Sequence, residues 1–294
     1  MDGILIIRKE KGFTSHDVVA KLRGILHTKK IGHTGTLDPD AEGVLPVAVG
    51  KATRLCDMLT EKEKTYEAVL RFGIETDTQD MTGTVLKEQD VSVTEEEVRN
   101  VMKSFLGDQM QIPPMYSALK VDGKKLYELA REGKVIERKP RPVHFASIEI
   151  QEMNLPTVRF SVTCSKGTYI RTLCHDIGQA LGCGGCMESL VRTKSGQFGI
   201  EDAVTLSRVQ EAADQGRVCE LILGIEEILC EYPRICCSSP GDRLLLNGNP
   251  LPEQLADGIE KEKKIRMCTS DGRFIGVYQW NEKRETYLPI KMFI

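Results

Sequence analysis

Apolar and polar residues alternate in two segments of the chain with the period of a β-strand. In residues 65–73, TYEAVLRFG, every second side chain from Tyr66 to Phe72 is apolar, and residues 158–164, VRFSVTC, alternate in the same way. Because successive side chains of a strand point to opposite faces of a sheet, each segment is predicted to be a strand with one buried face. The short apolar run that begins at Gly3 predicts a further strand.

Three other segments carry apolar residues at helical spacing. The first follows Ser15, which we predict to cap the helix, and the second follows Thr94, which forms a capping box with Glu97. The third follows the turn at residues 165–167 and is predicted to stop at Gly182. The apolar positions are Val18, Val19, Leu22, Ile25 and Leu26 in the first helix, Val98, Val101, Met102 and Phe105 in the second, and Ile170, Leu173, Ile177 and Leu181 in the third.

A cluster of proline, serine and glycine at residues 233–241 indicates a domain boundary. We predict one domain over residues 1–231 and a second over residues 232–294. The second carries three short β-like runs, KIRMCTS, RFIGVYQW and TYLPIKMF, which are typical of a small β-barrel or sandwich.

The composition is that of a soluble globular protein, with 294 residues of which 40% are hydrophobic and 28% charged. A membrane helix needs ~20 consecutive apolar residues, and the sequence contains no such stretch. The ten cysteines are scattered, as is typical of reduced thiols, and the N-terminus lacks the pattern of a secretory signal. We therefore expect a cytoplasmic protein without a membrane segment.

Charge is distributed unevenly although the net charge is only −3. Residues 120–141 contain eight basic and four acidic residues, whereas residues 201–231 contain eight acidic and two basic residues. This pattern fits a basic face that binds a polyanion, and it also fits two solvated helices of opposite sign. Charge alone favours the solvated helices.

Candidate chemistry begins at Asp38, within the polar stretch GHTGTLDPDAEG of residues 32–43. An aspartate before proline is most often a plain turn residue, although the proline also disfavours helix and presents the carboxylate on extended backbone. Arg171 is predicted in the first turn of a helix, where its charge opposes the helix dipole. A carboxylate would offset that cost, and Asp38 is a candidate partner that the arginine would keep ionised.

Five segments together resemble one family. GHTGTLDPDAEGVLPVAVGKATRL, KTYEAVLRFGIETDTQD, IPPMYSALKVDGKKLYELAREG, CSKGTYIRTL and LVRTKSGQF occur in the order, and at about the spacing, found in bacterial tRNA pseudouridine-55 synthases. The resemblance covers most of residues 1–231. Residues 232–294 resemble more weakly the small RNA-binding domain, of the pseudouridine-synthase-and-archaeosine-transglycosylase (PUA) type, that often ends members of this family.

The resemblance implies an α+β fold, with a mixed, largely antiparallel central sheet flanked by helices and a small C-terminal β-barrel-like RNA-binding domain. It also implies an isomerase that converts one uridine in the tRNA T-loop to pseudouridine. The reaction is redox-neutral and hydrolyses nothing, so it implies no cofactor and no metal. The expected partner is the T-arm of tRNA, and we expect a monomer.

The same resemblance implies roles for individual residues. Asp38 matches the aspartate nucleophile, Arg171 the arginine that pairs with it, and Tyr66 the tyrosine that stacks on the target base and helps to remove its C5 proton. The residues that match substrate-binding positions are His33, which fills the gap left by the flipped base, Tyr169 and Leu190, which pack around the nucleotide, and Asp80 and Lys9. The lysines expected to contact the RNA backbone are Lys120, Lys124 and Lys125.

Two local features depart from this pattern or compete with it. Glu10 stands where the family usually has proline, which predicts a less rigid turn beside Lys9. Cys183 and Cys186 have the spacing of a metal site, but no second such pair follows at a suitable distance, so we favour buried thiols.

Two other functions are compatible with the same fold. A non-catalytic RNA-binding or tRNA-folding protein would not need the combination of Asp38, Tyr66 and Arg171. A guide-RNA-dependent relative, of the kind found in archaea and eukaryotes, is disfavoured by the short length, the near-neutral charge and the lack of long basic tails.

Overall fold

The computed structural model describes residues 1–121, 123–258, 260–261 and 264–294. Asp122, one of the acidic residues counted in the stretch 120–141, lies outside the described residues. The strands are, in chain order, β1 (Gly3–Lys9), β2 (Ile31–His33), β3 (Glu42–Val49), β4 (Lys64–Phe72), β5 (Ile74–Thr76), β6 (Val85–Glu88), β7 (Gly107–Gln111), β8 (Lys120–Val121), β9 (Lys124–Lys125), β10 (Arg141–Asn154), β11 (Thr157–Cys164), β12 (Gly185–Ser195), β13 (Phe198–Gly199), β14 (Leu223–Gly224), β15 (Arg234–Cys236), β16 (Leu251–Pro252), β17 (Lys264–Cys268), β18 (Phe274–Asn281) and β19 (Thr286–Met292). The α-helices are α1 (Ser15–Ile25), α2 (Cys56–Thr60), α3 (Glu95–Ser104), α4 (Leu126–Arg131), α5 (Ile170–Ala180), α6 (Leu206–Asp214), α7 (Ile225–Ile228) and α8 (Asp242–Leu246).

The larger sheet runs in the order β14-β1-β3-β12-β4-β11-β10-β7, with β2 added to β3 and β13 added to β12. Strands β3 and β12 are parallel, and the other neighbours in this sheet are antiparallel. Helices α3 and α5 pack against β4, β10 and β11, while α1 and α6 pack against β1 and β3. The predicted α+β class, with a mixed and largely antiparallel sheet, is confirmed. No described helix has the length and apolar character needed to cross a membrane.

The local predictions hold with one instructive exception. Buried and half-buried residues alternate along β4, and the capping box of α3 joins Thr94 to Glu97. Helix α1 is capped by Thr14, whose side chain accepts a hydrogen bond from the backbone N–H of Asp17, so Ser15 is not the cap. Ser15 is buried, and its hydroxyl contacts a loop that lies far away in the sequence.

The C-terminal residues form a second sheet in the order β15-β17-β18-β19-β16. Its two edges approach each other, since Cys237, just after β15, forms a bridge with Ala256, just after β16. This geometry resembles the small barrel expected from the sequence. The division of the chain at residues 231 and 232 into two domains stays a prediction.

The two sheets share one hydrophobic cluster. Val277 and Phe293 from the C-terminal sheet pack with Ile4 and Ile6 of β1, and all four are buried. Phe293 also stacks on Phe274, with ring centroids 5.6 Å apart. The C-terminal sheet therefore completes part of the core of the larger sheet.

We expect Phe293→Ala to lower the free energy of unfolding by about 3 kcal/mol, because truncating a buried phenylalanine loses apolar contacts and leaves a cavity. The side chain of Phe293 is 7% exposed. Equilibrium unfolding in urea measures the effect. Ile294→Ala is the control at the neighbouring, exposed position, and it should cost less than about 1 kcal/mol. Equal effects of the two substitutions would contradict the shared core.

Candidate active site

Asp38 lies on the loop between β2 and β3, and two buried side chains hydrogen-bond to the backbone of this loop. The Ser15 hydroxyl accepts a hydrogen bond from the backbone N–H of Leu37 at 2.9 Å. The Lys9 ammonium donates to the carbonyl of Pro39 at 3.0 Å. Burial lowers the pKa of Lys9 to about 8. Lys9 thus supports the loop from inside the protein and does not present a cation at its surface.

Arg171, in the first turn of α5, connects four segments through its guanidinium, and its side chain is only 5% exposed. Nε lies 2.9 Å from Oδ2 of Asp38 and 3.7 Å from Oδ2 of Asp80. Nη1 and Nη2 donate to the carbonyls of Thr78 and Tyr116, each at 2.9 Å. The structure therefore brings Asp38, Asp80 and Arg171 together. Arg171 has the carboxylate partner that was predicted from its position in the first turn of a helix.

Asp80 is held in place by its own loop, between β5 and β6. Its Oδ1 accepts hydrogen bonds from the Thr78 hydroxyl at 2.7 Å and from the backbone N–H and hydroxyl of Thr82 at 3.0 and 2.6 Å. Gln79, the preceding residue, has a φ of 64°, a left-handed conformation that non-glycine residues rarely adopt. The Gln79 side chain is anchored by the Thr172 hydroxyl at 2.8 Å. This loop geometry directs Oδ2 of Asp80 toward the arginine.

Tyr66 lies on the central strand β4 and is buried. In the sheet it stands opposite Val162 of β11 on one side and Arg192 of β12 on the other. Burial raises the pKa of the Tyr66 phenol, and the neighbouring Arg192 lowers it. Leu190, two residues before Arg192 on β12, is also buried.

Tyr169 is the N-cap residue of α5, immediately before its first turn. The side-chain amide of Gln111 binds its backbone twice: Nε2 donates to the Tyr169 carbonyl at 3.0 Å, and Oε1 accepts from the Tyr169 N–H at 2.8 Å. Gln111 was not among the residues predicted from the sequence. A polar residue directly before the apolar segment IPPM was the only available signal, and it is a weak one.

His33 ends β2 and is half-buried. Its ring meets that of His16 edge to face, with centroids 5.4 Å apart. Burial lowers the pKa of His33, and the nearby His16 and Arg192 lower it further. A neutral imidazole is therefore favoured at this position.

The three lysines expected to contact RNA lie on the hairpin formed by β8 and β9. Lys120 and Lys124 are exposed, and the Lys124 ammonium lies 3.8 Å from a carboxylate oxygen of Glu132. Lys125 is half-buried and donates to the Tyr127 hydroxyl at 3.2 Å. The structure does not bring these lysines into contact with Asp38 or Arg171.

Cys183 and Cys186 are both buried free thiols. Burial raises the pKa of Cys186 to about 11, so its thiol is neutral near pH 7. Within the described part of the chain, no three histidine, cysteine, aspartate or glutamate side chains are arranged to hold a metal ion.

The site as a whole presents one carboxylate from a protein interior rich in cations. The Asp38 side chain is 40% exposed, and one of its oxygens is fixed by Arg171. A carboxylate that is both oriented and accessible is suited to nucleophilic attack on an electrophilic carbon. The buried Tyr66 belongs to the same hydrophobic cluster as Leu37, the residue directly before Asp38.

Comparison with known families agrees with this arrangement. Residues 23–170 match the N-terminal domain of the TruB family pseudouridylate synthases, and residues 171–230 match the tRNA pseudouridylate synthase B C-terminal domain. Sequence and fold together define a pseudouridylate synthase. The chain belongs to the TruB family.

Similar proteins extend over the whole chain. The tRNA pseudouridine synthase B of Lachnoclostridium phytofermentans is 50% identical and covers 100% of both chains. That of Bacillus pumilus is 41% identical and covers 99% of this chain and 97% of its own. Among solved structures, a Cbf5-Nop10-Gar1 complex matches with a TM-score of 0.75 and 28% identity, over 99% of this chain and 85% of the other. An H/ACA RNP bound to a substrate RNA matches with a TM-score of 0.74 and 26% identity, with the same coverage.

Proposed function

We propose that this protein converts uridine 55 in the T-loop of tRNA to pseudouridine, with Asp38 as the nucleophile. The carboxylate attacks C1′ of a flipped-out uridine, or acts by way of an elimination to a glycal, and the N1–C1′ bond breaks. The base turns, C5 bonds to C1′, C5 loses its proton and N1 gains one. The single observation that carries this proposal is the accessible Asp38 carboxylate held by the buried guanidinium of Arg171.

The surrounding residues support the same reaction. Arg171 orients Asp38, and Asp80 lies beside it as a second carboxylate that balances the charge of the guanidinium. Tyr66 stacks on the target base and accepts the C5 proton. Tyr169 and Leu190 border the nucleotide, and neutral His33 enters the space that the base leaves in the RNA loop.

The names of the similar proteins support tRNA as the substrate. Relatives at 41–50% identity over nearly the full length are called tRNA pseudouridine synthase B. The H/ACA RNP bound to a substrate RNA and the Cbf5-Nop10-Gar1 complex match at only 26–28% identity. The stand-alone tRNA enzyme is therefore favoured over the guide-dependent relative. A non-catalytic tRNA-binding protein is the remaining alternative, and the paired Asp38 and Arg171 argue against it.

The deciding experiment uses purified protein and an unmodified tRNA transcript. Pseudouridine is mapped by carbodiimide treatment and primer extension, in parallel with a transcript in which uridine 55 is replaced by cytidine. We expect one carbodiimide-dependent stop, at position 55, in the first transcript alone. Stops at other positions would contradict the T-loop assignment, and binding without any stop would favour the non-catalytic alternative.

Asp38→Asn should reduce turnover below a few per cent of the native rate, because an amide cannot replace the carboxylate as nucleophile. Binding of tRNA should stay within a few fold of native, since phosphate contacts dominate affinity. Asp40→Asn is the matched control in the same loop, at an exposed side chain. Single-turnover assays and filter binding measure the two quantities. Substantial turnover by the Asp38 variant would reject the nucleophile assignment.

Tyr66→Phe keeps the ring and removes the hydroxyl. Turnover should fall on the order of 10²–10⁴-fold, the usual contribution of one positioned acid–base group, while binding changes little. Tyr278→Phe is the control, because its buried hydroxyl has no hydrogen-bond partner within the described residues and lies in the C-terminal sheet. If Tyr66→Phe turned over at the native rate, only the ring would matter.

The basic hairpin should lie against RNA phosphates. The double variant Lys120→Gln and Lys124→Gln, at the two exposed lysines, should flatten the slope of log K against log salt by up to about two units, because each lost phosphate contact removes roughly 0.9. Lys103→Gln, at an exposed position on α3, should leave the slope unchanged. A native slope for the double variant would place this hairpin away from the RNA.

A further inference from the structure

Arg192 is the largest of the fully buried side chains, with 1% of its surface exposed. Its Nε donates to the carbonyl of Val44 at 2.7 Å, and its Nη2 donates to the carbonyl of Gly35 at 3.2 Å. These two carbonyls stand at either end of the loop that carries Asp38. The guanidinium therefore lies directly beneath the loop of the candidate nucleophile.

This cation has no acidic partner to offset its burial. Within the described residues, no carboxylate oxygen lies within 4 Å of Arg192, and the same holds for its buried neighbours Lys9 and Lys64. Removing a charge from water without a counter-ion is costly, and a guanidinium, unlike a lysine, cannot relieve that cost by losing its proton. Because this buried positive charge is costly, we expect it to serve a function in the active site.

The sheet register shows that Arg192 lies next to Tyr66 on the neighbouring strand. Arg192 of β12 stands directly opposite Tyr66 of the antiparallel strand β4. Side chains opposite each other in such a pair lie on the same face with their Cβ atoms about 5 Å apart. Two guanidinium nitrogens of Arg192 are bound by the Val44 and Gly35 carbonyls, which fixes the charge on the strand next to Tyr66.

We propose that Arg192 is a positioning residue for removal of the C5 proton: fixed on the strand next to Tyr66, it supplies the positive charge against which the phenolate forms. This inference rests on the proposed function. The phenol first gives its proton to solvent. After the C5–C1′ bond has formed, the phenolate oxygen takes the proton from C5, and N1 takes one from solvent, so the isomerisation is balanced.

Among the described residues, two other ionisable groups act on the pKa of the Tyr66 phenol, and both raise it. They are Asp38 from the loop above, which disfavours the phenolate, and Cys164 from β11. Burial raises the pKa of Cys164 to about 12, so this thiol stays neutral in the working range. Arg192 is then the neighbour that lowers the pKa of Tyr66, against burial and Asp38, which raise it.

The test compares Arg192→Met with native protein in single-turnover assays at saturating tRNA. We expect a rate loss on the order of 10²-fold near pH 7.5. The pH at which the rate rises should be higher than in the native protein by at least about one pH unit, because a positive charge close to the phenolate has been removed. With deuterium at C5 of the target uridine, the isotope effect should be larger than in the native protein. Binding of tRNA and its salt slope should be native, since Arg192 is buried and cannot touch a phosphate.

Two further variants separate the charge of Arg192 from its geometry and from the charge of a neighbouring cation. Arg192→Lys keeps the positive charge but cannot make both hydrogen bonds of the guanidinium, to the Val44 and Gly35 carbonyls. We therefore expect a native pH profile and a rate lower by about tenfold. Lys64→Met removes another buried cation, two residues before Tyr66 on β4, whose ammonium binds the carbonyls of Thr60 and Lys62. It should leave the pH profile and the isotope effect native. If Arg192→Met does not fold, the lysine variant decides, and a native rate for it overturns the proposal.

The outcomes separate this proposal from the function on which it rests. If Tyr66→Phe turns over normally, the assigned role of the phenol fails, whatever Arg192 does. If Tyr66→Phe is slow while folded Arg192→Met shows the native rate, pH profile and isotope effect, the role of Arg192 alone is rejected. The role of Arg192 is also rejected if Lys64→Met shows the same pH shift as Arg192→Met.

Discussion

The guanidinium of Arg171 has to be surrounded by acceptors, because it keeps its charge where water hardly reaches its side chain. No single segment of the chain can supply them all. Asp38 comes from the loop before β3, Thr78 and Asp80 from the loop after β5, and Tyr116 from the segment after β7. One helix residue thus fixes the mutual position of three loops. A lysine could not do this, since a point charge has no fork with which to orient several acceptors.

The site has a second layer of cations below the first. Lys9 and Arg192 bind backbone carbonyls of the loop that carries Asp38, whereas Arg171 binds the carboxylate itself. Together they give the loop a positive interior and leave the carboxylate accessible from outside. Such preorganised charge needs no rearrangement when negative charge develops during a reaction.

Elements that depend on local or periodic interactions were predictable from the sequence. The alternation of β4 and the capping box at Thr94 depend on neighbours within a few residues, and both were predictable. The pairing of Arg171 with a carboxylate was predictable as well, because the helix dipole made an unpaired arginine costly there. Ser15 and Gln111 were misjudged or missed, since their hydrogen-bond partners lie 22 and 58 residues away and leave no periodic trace. Family resemblance, and not residue physics, singled out Tyr66, because a tyrosine on the apolar face of a strand looks like any core residue.

The hydrophobic cluster shared by the two sheets bears on how the chain folds during synthesis. Strand β1 is synthesised well before the C-terminal sheet, yet Ile4 and Ile6 share a core cluster with Val277 and Phe293. Contacts between residues so far apart in a chain carry a large loop-closure entropy and form late. Until the C-terminal sheet has been made, the apolar face of β1 lacks part of its cover and is open to wrong partners. Shielding of the nascent N-terminal strand, by a chaperone or by slow release, would therefore raise the yield of native protein.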